Sequence, residues 1–87
     1  GFRCLARRDG DEVALISKSG KPLARYFPEM VERLGALKSK HFLLDGELVI
    51  PAGDELSFEA LQLRLHPAES RVRKLAAATP AHYILFD

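Results

Sequence analysis

The sequence predicts a mixed α+β fold with largely antiparallel strand pairing, and three observations carry that expectation. The runs "FRCLARR", "HFLLDGELVI" and "AHYILF" have strand character. Between them lie segments whose apolar residues recur at helical spacing. An Asp-Gly pair between the first two short strand-like runs reads as a hairpin, the connection that antiparallel strands use.

Taken in order, Phe2 to Arg8 alternates loosely, with Phe2, Cys4 and Ala6 on one side and Arg3, Leu5 and Arg7 on the other, and Val13 to Ser17 forms the second arm. "SKSGKP" follows as a polar loop, with Gly20 and Pro22 breaking regular structure. From Phe27 the apolar residues fall at Phe27, Met30, Val31, Leu34 and Leu37, the stripe of an amphipathic helix that tolerates Pro28 in its first turn. His41 to Ile50 returns to strand character, and "PAGDE" reads as a turn. Ser57 is placed to cap a second helix carrying Leu61 and Leu65, because a serine oxygen accepts the unpaired amides of a first helical turn. His66-Pro67 ends it. Ser70 to Ala78 has the alanine-rich, basic makeup of a third helix, Pro80 stops that one, and Ala81 to Phe86 is a final strand. Neither an internal repeat nor a low-complexity tract interrupts this order.

With 47% hydrophobic and 29% charged residues the chain belongs with globular domains, and its 87 residues allow one domain at most. A chain of this size buries roughly 60 to 70% of its unfolded surface, so its core is expected to be thin and its stability marginal. The 13 basic and 12 acidic residues are spread along the chain, a balance that does not demand nucleic acid. The lone Cys4 has no disulfide partner and no metal-ligand spacing occurs, which suits a reducing, cytoplasmic setting without structural zinc. No signal peptide and no bilayer-spanning apolar run is present, so no membrane partner is expected. Because strand-like residues reach both ends, the chain is expected to be a segment of a longer protein.

"LLDGELVIP" raises the sharpest question, since Asp45 and Glu47 stand inside an apolar run. As a turn, Asp-Gly is a preferred hairpin connection. As an unbroken strand from Phe42 to Ile50, the run puts Leu43, Asp45, Glu47 and Val49 on one face and Leu44, Gly46, Leu48 and Ile50 on the other. Two carboxylates then share a face, which is costly unless donors or cations meet them. Composition leaves both readings open. "SKSG" can offer hydroxyl, ammonium and backbone donors to a phosphate, or be a solvated loop. The aromatic end of "YILFD" can stack on a nucleobase or fill a core. His41, His66 and His82 read as structural or exposed, and Arg71, Arg73 and Lys74 as a solvated helix face.

The order of the pieces is more specific than any one of them. "GFR", then "SKSG" after a hairpin, then "LDGELVI", then "YILFD" resembles the succession of nucleotidyltransferase motifs in ATP-dependent DNA ligases. The resemblance covers the whole chain, including "SFEALQLRL", and is nearest to bacterial-type ligases and the ligase modules of end-joining repair enzymes. It implies that residues 1–87 are a fragment of the adenylation domain, truncated at both ends, in the nucleotidyltransferase (ATP-grasp-like) fold shared with mRNA-capping enzymes. In that family the first motif is K-x-D-G-x-R, and Gly1-Phe2-Arg3 would be its last three positions. The nucleophilic lysine would precede residue 1, so the fragment alone is expected to be inactive.

Carried over by position, Arg3 is similar to the arginine that contacts the ribose and phosphate of the nucleotide. Ser17 and Lys18 resemble a Ser-Arg pair that meets a phosphate, although lysine lacks the bidentate fork. Glu47 matches the glutamate that holds ribose hydroxyls and Phe86 the aromatic that stacks on adenine, while Asp45 and Asp87 are secondary candidates without a fixed task. Gly46 is expected to leave room for the nucleotide. The resemblance further implies ATP and magnesium as cofactors, no metal ligand within these residues, and nicked duplex DNA and the rest of the ligase chain as partners. The rival readings are an RNA ligase, an mRNA-capping guanylyltransferase, or a non-enzymatic α+β module in which Asp45-Gly46 is only a turn.

Overall fold

A computed structural model describes residues 1–86. Six strands and three helices follow in the order β1 (Phe2–Asp9), β2 (Glu12–Ser17), α1 (Pro28–Gly35), β3 (His41–Val49), β4 (Pro51–Ala52), β5 (Glu55–Leu56), α2 (Phe58–Arg64), α3 (Glu69–Ala78) and β6 (His82–Leu85). A single 3₁₀ turn, Ala24–Tyr26, leads into α1. The main sheet has the order β2-β1-β3-β6 with every neighbour antiparallel, so the expected α+β class holds. None of the described helices is long and apolar enough to cross a membrane.

The β1–β2 hairpin turns at Gly10 and Asp11, and Gly10 has φ +64°, a conformation that costs a glycine little. Alternation along β1 then turns Phe2, Cys4, Ala6 and Arg8 toward the helices and leaves Arg3, Leu5 and Arg7 on the outer face. Leu15 of β2, Leu48 near the end of β3, Ile50 just past it, and Phe27, Met30, Leu34 and Leu61 from the helical layer complete the core. The helices therefore cover one face of the sheet, and the other face stays open. Burial pushes the Cys4 thiol up to about 11, as expected for a thiol held inside the apolar layer.

The expected apolar stripes hold with two corrections. α1 starts at Pro28 with Phe27 as its N-terminal cap, and Leu37 lies past its end and half exposed, because the chain has already turned toward β3. In α2 the capping oxygen of Ser57 accepts the Ala60 amide at 3.0 Å as expected, but Leu65 falls beyond the helix and is exposed. Arg64 takes the buried position instead, wholly inaccessible to solvent. "PAGDE" turns as expected and is tight enough to pair β4 with β5.

Two buried arginines bind the layers together. Arg8 donates from Nη1 to the carbonyls of Leu34, Leu37 and Ser39 at 3.1, 2.8 and 3.3 Å, tying β1 to the end of α1 and the loop that follows it. Arg64 donates to the Tyr26 and Thr79 carbonyls at 3.0 and 2.9 Å and forms a two-point ion pair with Glu29. Glu29 in turn accepts the Ala81 amide at 2.9 Å, so α1, α2 and the approach to β6 meet at one charge pair.

Gly46 marks the contact between β3 and β6. A Cβ there would stand 2.7 Å from Tyr83 Cζ and collide with the Ile84 carbonyl. Through the space it leaves, the Tyr83 hydroxyl reaches the carbonyls of Cys4 at 2.8 Å and Leu44 at 3.2 Å. The expectation that Gly46 makes room for a nucleotide is thus corrected: its missing side chain makes room for Tyr83 on the helix-covered face.

Two stability outcomes follow from these contacts. Glu29→Ala strands a buried guanidinium and should cost about 3–5 kcal/mol in urea denaturation, against less than about 0.5 kcal/mol for Glu69→Ala in the exposed Arg73 pair. Gly46→Ala forces Tyr83 and β6 aside and should cost about 1–3 kcal/mol or more.

Candidate functional site

β3 is hydrogen-bonded on both sides, so Asp45-Gly46 is not a turn and the strand runs unbroken from His41 to Val49. Its pleat presents Asp45 and Glu47 to the open face, where Arg3 and Leu5 of β1 lie opposite Glu47 and Asp45 respectively. Val49 shares that parity but is buried.

Arg3 does not pair with the residue directly across from it. Its guanidinium leans diagonally to Asp45, with Nη2 donating to Oδ2 at 2.9 Å and Nε to Oδ1 at 3.4 Å. The same guanidinium lies 5.2 Å from the centre of the Phe86 ring, within cation–π range. Phe86 is held by its own amide, which donates to the Asp45 carbonyl at 2.9 Å. The hydrogen bond from Arg3 holds the Asp45 carboxyl below its ordinary range, and Asp45 in turn raises Arg3. An oxygen of Glu47 stands 3.7 Å from the Gly1 nitrogen, and its side chain is about one-third exposed.

Ser17 and Lys18 close the other end of the site. Gly20, at φ +89°, lets the chain reverse so that Ser17 and Lys21 exchange backbone contacts, the Ser17 amide donating to the Lys21 carbonyl at 2.8 Å. The Ser17 hydroxyl accepts the Lys21 amide at 3.0 Å and lies 3.1 Å from the Ser19 hydroxyl, so it shapes the turn. Lys18 and Arg3 line two adjoining grooves. One, of about 230 Å³, is bounded by Arg3, Ser17, Lys18 and Asp45; the other, of about 690 Å³, adds Ser19, Lys21 and an apolar wall that includes Phe2 and Leu65.

The structure therefore brings Arg3, Asp45, Ser17 and Lys18 to one place. Phe86 joins them through Arg3, and Glu47 sits one pleat away on the same face. Asp87 lies outside the described residues. Sequence reasoning passed over Lys21 and Ser19, although both belong to the "SKSGK" stretch already singled out. His41, His66 and His82 stay away from the grooves: His41 is on the surface beside Asp9, and His66 accepts the Ala68 amide through Nδ1.

This arrangement has recognisable relatives. The family model for the ATP dependent DNA ligase domain matches residues 1–87. The chain belongs to the ATP-dependent DNA ligase family. It is similar to DNA ligase C of Mycobacterium tuberculosis, with 52% identity over 87 residues that make up all of this chain and 24% of that protein. DNA ligase C2 of Mycolicibacterium smegmatis is 53% identical over the same length, 25% of that protein. DNA ligase 2 of Thermofilum pendens is 30% identical over 90 residues and 15% of its own length. The chain spans about a quarter of the length of the first two ligases.

The Arg3–Asp45 pair of this ligase segment gives it a definite acid response. An aspartate whose folded value is depressed adds stability that is present above its ordinary value of 3.8 and is lost as pH falls through the lower folded value. Wild type should melt slightly above Asp45→Asn at about pH 7, by a small margin because both side chains are half exposed, and the two should converge near about pH 2. Thermal melts at both pH values check this; a margin that persists in acid would mean that Arg3 is held by something other than the Asp45 carboxylate.

Proposed function

We propose that these residues form part of the nucleotide pocket in the adenylation domain of a longer ATP-dependent DNA ligase that seals nicks in duplex DNA. The whole-chain family match carries the reading. In the proposed cycle a lysine supplied by the remainder of the chain takes AMP from ATP, passes it to a DNA 5′-phosphate, and the 3′-hydroxyl then displaces it.

The chemistry of the open face supports this. The Glu47 carboxylate is an acceptor suited to the two donor hydroxyls of a ribose. The Phe86 ring offers a flat apolar surface to adenine. Arg3, Lys18 and Lys21 carry positive charge beside the grooves, where non-bridging phosphate oxygens gain negative charge as pyrophosphate leaves. Lys18 binds as a point charge and leaves orientation to the backbone turn beneath it.

Magnesium is a different matter. Among the described residues no group of three or more His, Cys, Asp and Glu side chains stands close enough to hold a metal ion, and both oxygens of Asp45 face Arg3. A magnesium ion held mainly by the ATP phosphates and water would need few ligands from these residues.

The test uses the full-length protein with labelled ATP and nicked DNA. Glu47→Ala should cut formation of the labelled lysyl-AMP adduct about a hundredfold or more while the protein remains folded. The 87 residues alone should take no label. Unchanged labelling of the Glu47→Ala protein would overturn the assignment, and sealing of nicked RNA in preference to nicked DNA would redirect the reading to an RNA ligase.

A further inference from the structure

We propose that Asp45 is the positioning residue of the open face: its side chain fixes the Arg3 guanidinium, its main-chain carbonyl fixes Phe86, and together these keep Arg3 away from Glu47. What the face binds rests on the ligase reading above; the positioning rests on geometry alone.

The register makes the argument. Arg3 lies directly opposite Glu47, the closest carboxylate-bearing position across the ladder, yet its hydrogen bonds go to Asp45 on the diagonal. A guanidinium has five N–H donors in a rigid fork. Nε and one Nη2 hydrogen point at Asp45, which leaves three for a ligand. Asp45 thus removes from Arg3 the freedom to turn onto Glu47, where it would neutralise the carboxylate that the proposed function reserves for the ribose.

The main chain of the same residue does the second part. The Asp45 carbonyl accepts the Phe86 amide just past the last paired residue of β6, so the ring is anchored at the point where the strand ends. Cation and ring then face each other at 5.2 Å with Asp45 common to both.

A substitution of Asp45 should therefore act through Arg3. In the full-length protein Asp45→Ala should lower kcat/KM for lysine adenylylation by between about tenfold and about a hundredfold, chiefly by raising KM for ATP, because Glu47 becomes masked by Arg3. In an Arg3→Ala background the same change should cost less than about twofold, since the residue being positioned is absent. Asp45→Asn, which keeps one acceptor oxygen but loses the charge, should fall between wild type and alanine.

A measurement without nucleotide stands beside the kinetics. The Arg3 Nε–H resonance in a ¹⁵N spectrum should be distinct and slow to exchange with water in wild type, and lost into the averaged arginine signal in Asp45→Ala. Equal kinetic losses in both backgrounds, or an Arg3 Nε–H signal unaffected by the substitution, would overturn the positioning role. If the wild-type protein takes no label from ATP, the ligase reading fails while the resonance still judges the Arg3–Asp45 link. Should Asp45→Ala fail to fold, the nearly isosteric Asp45→Asn carries both measurements, and an Nε–H signal unchanged in that protein counts against the proposal.

Discussion

The central strand β3 is hydrogen-bonded along both edges, to β1 on one side and β6 on the other, and its pleat is therefore not adjustable. Because side chains alternate strictly, a slip of one residue would carry Asp45 and Glu47 under the helices and put Gly46 and Leu48 in water. Such a slip would leave two carboxylates buried without cations, a far larger loss than any single contact in the domain. Gly46 adds a mechanical lock to this chemical one. Tyr83 occupies the space of its absent Cβ and bonds to carbonyls of both β1 and β3, so the three strands can close only in the observed register. The open face and its site depend on that register.

A small domain also has to finish its helices without a large core to bury them in. Arg8 and Arg64 do this by spending guanidinium donors on main-chain carbonyls near helix and turn ends. Each is a polar group in an apolar layer, tolerable because the long stem packs with its neighbours while the head is bonded, although Nε of Arg64 is buried without a partner. Arg64 also lies over the Phe27 ring at 5.2 Å. The cost is dependence on a partner. Without Glu29 the charge of Arg64 would have no counterion in a place water does not reach, which is why this pair, and not the exposed Arg73–Glu69 pair, governs stability.

Much of this was legible from local pattern. The hairpin, the α1 stripe and the Ser57 cap all depend on residues a few positions apart, where periodicity and turn chemistry act directly; for β3 the local pattern leaves turn and strand open, and pairing along both edges decides for the strand. What could not be read depends on distant pairs. The burial of Arg8 continues the alternation of Phe2, Cys4 and Ala6, but its partners lie some thirty residues on, at the end of α1. Leu65 reads from spacing as a core residue of the second helix, but the chain turn after α2 exposes it and buries Arg64, which no local pattern singles out. Gly46 was read correctly as a demand for space and assigned to the wrong occupant, since nothing near it in sequence announces Tyr83. The roles proposed for Arg3, Ser17, Lys18, Glu47 and Phe86 rest on motif order, and the structure adds their neighbourhood.

That neighbourhood constrains where positive charge is available. The Arg3 charge is already paired with Asp45, so on the open face it contributes direction more than field. The Ser17 hydroxyl is likewise engaged, accepting the Lys21 amide within the turn. Lys18 and Lys21 add positive charge beside the grooves, on a turn whose shape Gly20 and Ser17 set. On the proposed reading, lysines on the loop would draw an anion in, and an arginine held by a strand carboxylate would orient it. A surface built this way can hold a strong local charge beside a carboxylate such as Glu47 without the two neutralising each other, because the cation close enough to do so is tied elsewhere.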